Sequence, residues 1–125
     1  MNRQRLTPEL PPYPSMCFYP MNNKREVGEN WFTLGKDERS RMMGEHARSG
    51  MAYAGKVSQL ITVGVGLDDW ERGGTLWGAN PKYLKDIVYE MRFDEASARY
   101  AQFGPCLVGY VCDATKLIDH CRVRR

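Results

Sequence analysis

The sequence predicts a single α+β domain in which two helices cover one face of an antiparallel sheet. Two observations predict this fold class. The first is that apolar and β-branched runs typical of strands are separated by two segments with helical spacing. The second is that these segments follow the order β-α-β-β-α-β. This order is the split β-α-β arrangement of a ferredoxin-like fold. The 125 residues of the chain match the length of one domain.

The first half of the chain is predicted to form an arm, a strand and a helix. Four of the seven prolines fall within residues 8–14, which predicts an extended arm over residues 1–14. Residues 15–19 are an apolar run that stops at Pro20 and predict the first strand, and the polar residues 22–29 predict a loop. Residues 36–53 have helical spacing, with one stripe made of Met42, His46, Gly50 and Tyr53.

The second half is predicted to contain a hairpin, a helix and a last strand. Residues 57–65 are rich in β-branched side chains, and a polar turn leads to a partner strand at 75–77. Asn80 is an N-cap candidate with Pro81 at the first helical position. A short helical piece at 94–100 precedes a strand at 106–111. The predicted domain covers 15–112, and 113–125 form a short tail with a helix.

Charge and hydropathy exclude several classes of partner. The formal net charge is only +3 and is spread along the chain, which argues against nucleic acid and anionic membranes as partners. The longest uncharged apolar stretch, residues 60–67, is far shorter than the ~20 residues that a membrane helix needs. The first residues lack the apolar stretch of a signal peptide, and the four cysteines form no Cys-x-x-Cys pair. We therefore expect a cytoplasmic protein with reduced thiols.

His46 is the residue on which a site depends most. It lies on the inward stripe of the first predicted helix beside Met42 and Met43, a setting that suits an axial haem ligand. Considered alone, this pattern favours a hydrogen-bonded core histidine. The spacing of Cys112, His120 and Cys121 fits no zinc pattern. The methionine and aromatic content suits a flat apolar cofactor site and ordinary packing equally well.

Several motifs in the sequence are shared with a known family. They are CFYPM at 17–21, NW at 30–31, GKV at 55–57, GLDD at 66–69 and KDIVYEMRFDEASARY at 85–100. In these motifs the chain resembles the chlorite dismutase-like superfamily, and within it the coprohaem decarboxylases of bacterial haem synthesis. The resemblance covers residues from about 5 to 110 and is most specific in the segment that begins at Lys85.

The resemblance also implies an architecture and an assembly. Family members are about twice as long and consist of two ferredoxin-like halves that close into a dimeric α/β barrel. This chain resembles the second half, which binds haem. Family members assemble as pentamers, so the resemblance implies a homo-oligomer, or a separately encoded first half that completes the barrel.

The resemblance assigns roles to individual residues. His46 matches the iron ligand, and Tyr19 matches the catalytic tyrosine that forms a radical. The porphyrin-binding positions are matched by Arg5, Tyr19, Asn23, Lys24, Trp31, His46, Gln59 and Ser97. Asn23 replaces a family lysine, and Lys24 follows it in the loop. Arginines and hydroxyls at these positions supply hydrogen bonds to porphyrin carboxylates.

The implied reaction is peroxide-dependent. Fe-coproporphyrin III (coprohaem) is both cofactor and substrate, hydrogen peroxide is the oxidant, and two propionates become vinyl groups to give haem b. An alternative is a non-catalytic haem-binding or assembly module. A chlorite dismutase is disfavoured, because those enzymes have an arginine at the position of Gln59.

Overall fold

The computed structural model describes residues 9–10 and 12–122. The strands are β1 (Ser15–Asn23), β2 (Arg25–Glu26), β3 (Glu29–Asn30), β4 (Val57–Val63), β5 (Arg72–Gly78), β6 (Ala101–Phe103) and β7 (Leu107–Tyr110). The helices are α1 (Lys36–Met51), α2 (Pro81–Met91), α3 (Glu95–Tyr100) and α4 (Ala114–Cys121), and a short 3-10 helix covers Trp31–Thr33.

The main sheet is antiparallel throughout and has the order β4-β5-β1-β6, with β7 also paired to β1. β1 and β4 belong to the first β-α-β unit but are not neighbours in the sheet, because β5 of the second unit lies between them. This is the topology of the ferredoxin-like fold, and the predicted fold class is confirmed. The small ribbon of β2 and β3 is separate from the main sheet.

Local sequence signals set the helix boundaries. The Asn80 side chain accepts a hydrogen bond from the Lys82 amide at the start of α2, with Pro81 at the first position. The Asp94 side chain accepts from the Ser97 amide and begins α3 in the same way. The predicted helix over 36–53 ends earlier than expected, at Met51, and is followed by a turn.

β1 does not end at Pro20, contrary to the prediction, but continues to Asn23. Pro20 lacks an N–H, so a proline inside a strand normally removes a hydrogen bond from the sheet. Here the Pro20 carbonyl accepts a hydrogen bond from the Gly104 amide at 2.8 Å. In an antiparallel sheet the N–H and C=O of one residue point to the same neighbouring strand, so the missing N–H lies on the side of β6 and β7. The ladder is interrupted on that side, so the proline is tolerated.

The interruption is a β-bulge between β6, a strand that was not predicted, and β7, which lies within the predicted last strand at 106–111. Phe103 pairs with Met21, and Leu107 pairs with Phe18. Three residues, 104–106, therefore lie opposite the two residues 19–20. The Gly104 amide is hydrogen-bonded to the Pro20 carbonyl. The position opposite Tyr19 is therefore shared by Pro105 and Cys106. Bulges of this kind bend an edge strand and redirect its side chains.

The core lies between the sheet and the helices. One cluster joins Cys17, Tyr19 and Leu76 of the sheet to α2 through Leu84, Ile87 and Met91. A second cluster, made of Trp31, Met42, Ala96 and Tyr100, joins the 3-10 helix to α1 and α3. The opposite face of the sheet carries Phe18 and Leu107, and Leu107 is 64% exposed. The two faces of the sheet therefore differ in how well they are covered.

The ends of the chain are described in part. Residues 1–8 and 11 of the predicted arm, and residues 123–125 of the tail, lie outside the described residues. The Tyr13 hydroxyl donates to the Gly55 carbonyl at 2.8 Å and ties this segment to the turn before β4. The domain boundaries at residues 14 and 112 remain predictions. Within the described part of the chain, every helix is too short or too polar to cross a membrane.

Candidate functional site

A cavity of about 300 Å³ lies between the sheet and helices α1 to α3. Six of the side chains singled out from the sequence line it: Tyr19, Asn23, Trp31, His46, Gln59 and Ser97. Much of the remaining wall is apolar and includes Met21, Met43, Ile61, Val88, Met91 and Phe103. An apolar cavity with a few convergent polar groups is the usual form of a small-molecule site.

His46 lies on the helical wall of this cavity, and its imidazole is held by two polar neighbours. Nδ1 lies 2.8 Å from Asp94 Oδ2 and 3.3 Å from Ser97 Oγ. A carboxylate only accepts hydrogen bonds, so this contact favours the neutral tautomer that carries its proton on Nδ1 and its lone pair on Nε2. Histidines that bind metals are commonly oriented by a carboxylate in this way, which also makes the free nitrogen more basic.

Asp94 has two roles in this arrangement. Its Oδ2 holds His46, while its Oδ1 accepts from the Ser97 amide at 2.8 Å and caps α3. The residue is only 3% exposed, so both oxygens act in a buried setting. The sequence interpretation did not select Asp94. Its position just before a helical run was the available signal, because aspartate is a preferred N-cap residue.

Tyr19 and Gln59 lie on the sheet wall of the cavity. Tyr19 is 6% exposed, and Gln59 lines the same cavity. Burial raises the pKa of the Tyr19 phenol to about 12, the Cys17 and Cys106 thiols act in the same direction, and the Gln59 side chain opposes the rise. The phenol therefore keeps its proton at neutral pH.

The position of the Tyr19 ring depends on a glycine in the neighbouring strand. Gly74 pairs with Tyr19 across β1 and β5. A Cβ atom at Gly74 would lie 2.7 Å from carbon atoms of the ring, closer than any real contact. Glycine at this position allows the ring to lie across β5.

Two thiols lie beside Tyr19. Cys17 precedes it by two residues on the same face of β1, and the bulge brings Cys106 opposite it. Burial raises the pKa of the Cys17 thiol, and the charge of Cys106 and a hydrogen bond with its side chain add to this effect. All four cysteines of the chain are free.

Two arginines that the sequence interpretation did not select also line the cavity. Arg72 is the first residue of β5, and Arg92 follows α2. The Arg92 guanidinium lies 5.9 Å from the centre of the Phe103 ring. Arg72 lies before the predicted strand at 75–77, so only the observed extent of β5 places it on the same face as Leu76.

Among the selected residues that the structure describes, only Lys24 does not line the cavity. The Lys24 ammonium donates to Glu29 at 3.2 Å, and its backbone amide donates to the Tyr100 carbonyl at 2.7 Å. Arg5 lies outside the described residues. Trp31 lines the cavity and also packs in the core, with its ring centre 5.6 Å from that of Tyr100.

Three curated relatives carry the name coproheme decarboxylase. The relative from Oceanobacillus iheyensis is 45% identical over 118 residues, 94% of this chain and 47% of its own length. The relative from Thermus thermophilus is 49% identical over 92% of this chain and 46% of its own length. The relative from Staphylococcus carnosus is 50% identical over 87% of this chain and 44% of its own length. The chain spans about half the length of these relatives.

Solved structures show the same relationship. A heme-binding protein from Thermus thermophilus superposes with a TM-score of 0.89 at 47% identity, over 94% of this chain and 48% of its own. A mutant of chlorite dismutase from Candidatus Nitrospira defluvii superposes with a TM-score of 0.79 at 18% identity, over 96% of this chain and 51% of its own. At that identity the likeness concerns the fold alone.

The family resemblance inferred from the sequence motifs is confirmed by a match to a family profile. That profile, described as chlorite dismutase, matches residues 1–112. The matched segment contains the whole sheet and every residue that lines the cavity. By fold and by sequence, the chain belongs to the chlorite dismutase family.

Proposed function

We propose that this chain binds Fe-coproporphyrin III through His46 and takes part in the peroxide-dependent decarboxylation that converts it to haem b. The observation that carries the proposal is the bond between His46 Nδ1 and Asp94 Oδ2 at 2.8 Å, on the wall facing Tyr19 and Gln59. It leaves Nε2 as the nitrogen with a lone pair inside a largely apolar cavity.

The residues present fit an iron porphyrin. An imidazole with one nitrogen bonded to a carboxylate is a suitable axial ligand. Met43 and Ala47, on either side of His46 in α1, and Ile61 on the sheet give the cavity apolar walls. Asn23 Nδ2 is a buried donor that finds no acceptor among the described residues, and ligand carboxylates are acceptors. His46 would hold the iron, and Ser97 and Asn23 would contact the rim.

The side chains suggest a division of roles in the reaction. The bound iron porphyrin supplies the redox chemistry with peroxide. Tyr19 is proposed to lose its phenolic hydrogen and, as a radical, to take a hydrogen atom from a propionate. Gln59 is proposed to lie over the open face of the bound iron and to orient the peroxide through its neutral amide.

The balance of the reaction needs one peroxide for each propionate. The propionate loses carbon dioxide, two protons and two electrons and becomes a vinyl group. Hydrogen peroxide takes up two protons and two electrons and becomes two molecules of water. Tyr19 returns to its starting state at the end of each cycle.

A second candidate function is porphyrin binding without turnover. The observation that favours it is Asn23, a neutral amide at the position where the family resemblance implies a lysine. In this case the porphyrin would be held without the point charge that an ammonium supplies to a propionate.

We also propose that the protein works as an assembly in the cytoplasm. The sheet face that carries Leu107 is suited to a second copy of the chain, and a separately encoded first half is the alternative partner. The four free cysteines agree with a reducing compartment.

The test of the proposed function is a titration of the purified protein with ferric coproporphyrin III. We expect a shift of the Soret band that His46→Ala abolishes. Stepwise addition of hydrogen peroxide should then give products that are lighter by about 46 mass units per propionate, the mass of carbon dioxide and two hydrogens. Tyr19→Phe should bind the porphyrin but give no such products.

Each outcome separates the candidates. Binding without loss of mass would support the module without turnover. Absence of binding would exclude both functions. Loss of mass that persists in Tyr19→Phe would show that another residue carries the radical. The exposed His120→Ala in α4 is the matched histidine control and should behave like the unaltered protein.

A further inference from the structure

One end of the cavity contains two hydrogen-bond donors without acceptors. The first is Asn23 Nδ2, which is buried and has no hydrogen-bond partner in the described part of the chain. The Asn23 residue is only 9% exposed and lines the cavity. The second is the guanidinium of Arg72, which also lines the cavity and is partly buried.

The strand register places these two residues next to each other. Arg72 lies directly opposite Met21 in the pairing of β5 with β1. Asn23 follows Met21 by two residues, so it lies on the same face and is the diagonal neighbour of Arg72. Long side chains at diagonal positions of an antiparallel pair can reach a common point.

Protein carboxylates do not satisfy Arg72. Among the described residues, no ion pair or side-chain hydrogen bond involves its guanidinium. The adjacent Glu71 forms an ion pair with Arg25 instead. A cation that faces an apolar cavity without a partner is unfavourable, and so is a buried amide N–H without an acceptor.

Arg92 adds to the positive potential at this end. Its guanidinium lies 5.9 Å from the centre of the Phe103 ring, and Phe103 pairs with Met21 from the other side of β1. Arg72, Met21 and Phe103 are thus in one row across three strands. This row gives the cavity a cationic end.

We propose that Arg72 and Asn23 together bind one carboxylate of the ligand, with Arg72 providing the charge and Asn23 a neutral hydrogen bond. The proposal rests on the proposed function, because it assigns the pair to a carboxylate of the porphyrin. A guanidinium beside an amide suits the two oxygens of a carboxylate, each of which accepts hydrogen bonds. Arg72 would then determine specificity for porphyrins with free acid groups.

Equilibrium binding tests this proposal without the need for turnover. Ferric coproporphyrin III and its tetramethyl ester are titrated separately, and the dissociation constants are read from the Soret band. The ester keeps the ring and the iron but lacks the negative charges. We expect Arg72→Gln to weaken binding of the acid by about tenfold or more and to leave binding of the ester within about twofold.

Three further variants make the test specific. Arg72→Lys keeps the charge and should recover part of the loss, and adding Asn23→Lys to Arg72→Gln should restore a cation at the same end of the cavity. Arg122→Gln removes an exposed arginine after α4 and should change neither dissociation constant. The melting temperature of the free protein should not fall in Arg72→Gln, because among the described residues the guanidinium has no ion pair to lose.

The outcomes distinguish this proposal from the proposed function. If the unaltered protein binds the acid and Arg72→Gln binds it equally well, the carboxylate site is wrong and the proposed function stands. If both porphyrins lose affinity equally in Arg72→Gln, Arg72 shapes the cavity and does not bind a carboxylate. If the unaltered protein binds neither porphyrin, both proposals fail.

Discussion

At the scale of single residues, Asn23 is where we expect folding stability and ligand binding to conflict. Its buried amide nitrogen has no partner in the described structure, and such a donor loses hydration without gaining a hydrogen bond. A residue of this kind is unfavourable in the free protein and useful once an acceptor arrives. The same residue can therefore lower stability and support function.

This view predicts opposite effects of Asn23→Leu on two measurements. Leucine has a similar size and no polar atoms, so the free energy of unfolding should rise by about 1 kcal/mol in urea titrations. The affinity for ferric coproporphyrin III should fall in the same variant. A loss of stability would mean that the Asn23 side chain supports the free protein after all.

Tyr19 gives a prediction at alkaline pH. Its folded pKa of about 12 exceeds the ordinary value of 10.0, chiefly because of burial. Between these two values the unfolded chain releases the phenolic proton and the folded protein keeps it. The contribution of Tyr19 to stability is therefore complete below pH 10 and is lost as the pH rises to about 12.

Absorbance titration of tyrosinate checks this pKa directly. The protein has seven tyrosines, and we expect a late step near pH 12 that Tyr19→Phe removes. Tyr53→Phe is the control, because the pKa of the partly buried Tyr53 is raised chiefly by a hydrogen bond to Glu90 and only secondarily by burial. A complete titration near pH 10 would contradict the buried position of Tyr19.

At the scale of elements, β5 sets the position of the catalytic candidate through its glycines. The 2.7 Å approach between a Cβ at Gly74 and the Tyr19 ring leaves no room for alanine. We expect Gly74→Ala to displace the ring, to lower stability by about 1–3 kcal/mol and to slow any decarboxylation. Gly109→Ala in β7 is the matched control, because a Cβ there meets no atom within 4 Å.

The start of α3 couples secondary structure to the site. Asp94→Ala removes both the helix cap and the partner of His46, so it should lower the free energy of unfolding by more than ~1 kcal/mol. Asp113→Ala removes only the cap of the exposed helix α4 and should cost less. Asp94→Asn keeps a capping oxygen and separates the effect of charge from that of the cap. Equal losses of unfolding free energy for Asp94→Ala and Asp113→Ala would contradict a stabilising contact between Asp94 and His46.

Secondary-structure elements with local signals were predicted better than those that depend on distant pairing. The cap at Asn80 and the spacing of apolar residues predicted α2 well, because both signals are local. Pro20 misled the prediction of β1, since a proline is tolerated where a bulge interrupts the ladder, and the bulge depends on pairing with a distant segment.

The site shows the same distinction between local and distant information. Helical spacing placed His46 on the inward stripe, but favoured a core histidine until the family resemblance was considered. The Asp94 contact and the convergence of Asn23 with Arg72 depend on residues about 50 positions apart in sequence. No local pattern contains such contacts, so they had to come from the fold.

At the scale of the whole molecule, the uncovered sheet face predicts self-association. Leu107 is 64% exposed and lies beside Phe18 on the face opposite the cavity. Sedimentation velocity should give a mass above the 14.4 kDa of one chain, and Leu107→Asp should reduce it. Tyr89→Asp is a control of equal exposure on α2 and should leave the mass unchanged. A monomer at all concentrations would contradict the prediction.

The described lining of the cavity comes from one continuous segment of chain. It runs from Tyr19 to Phe103 within a single α+β unit, while the relatives are about twice as long. The proposed recognition of acid groups therefore rests on a segment that can be exchanged as one unit. In a chimaera, this segment should bring its own preference for acid groups into a longer relative, without any change to the rest of that protein.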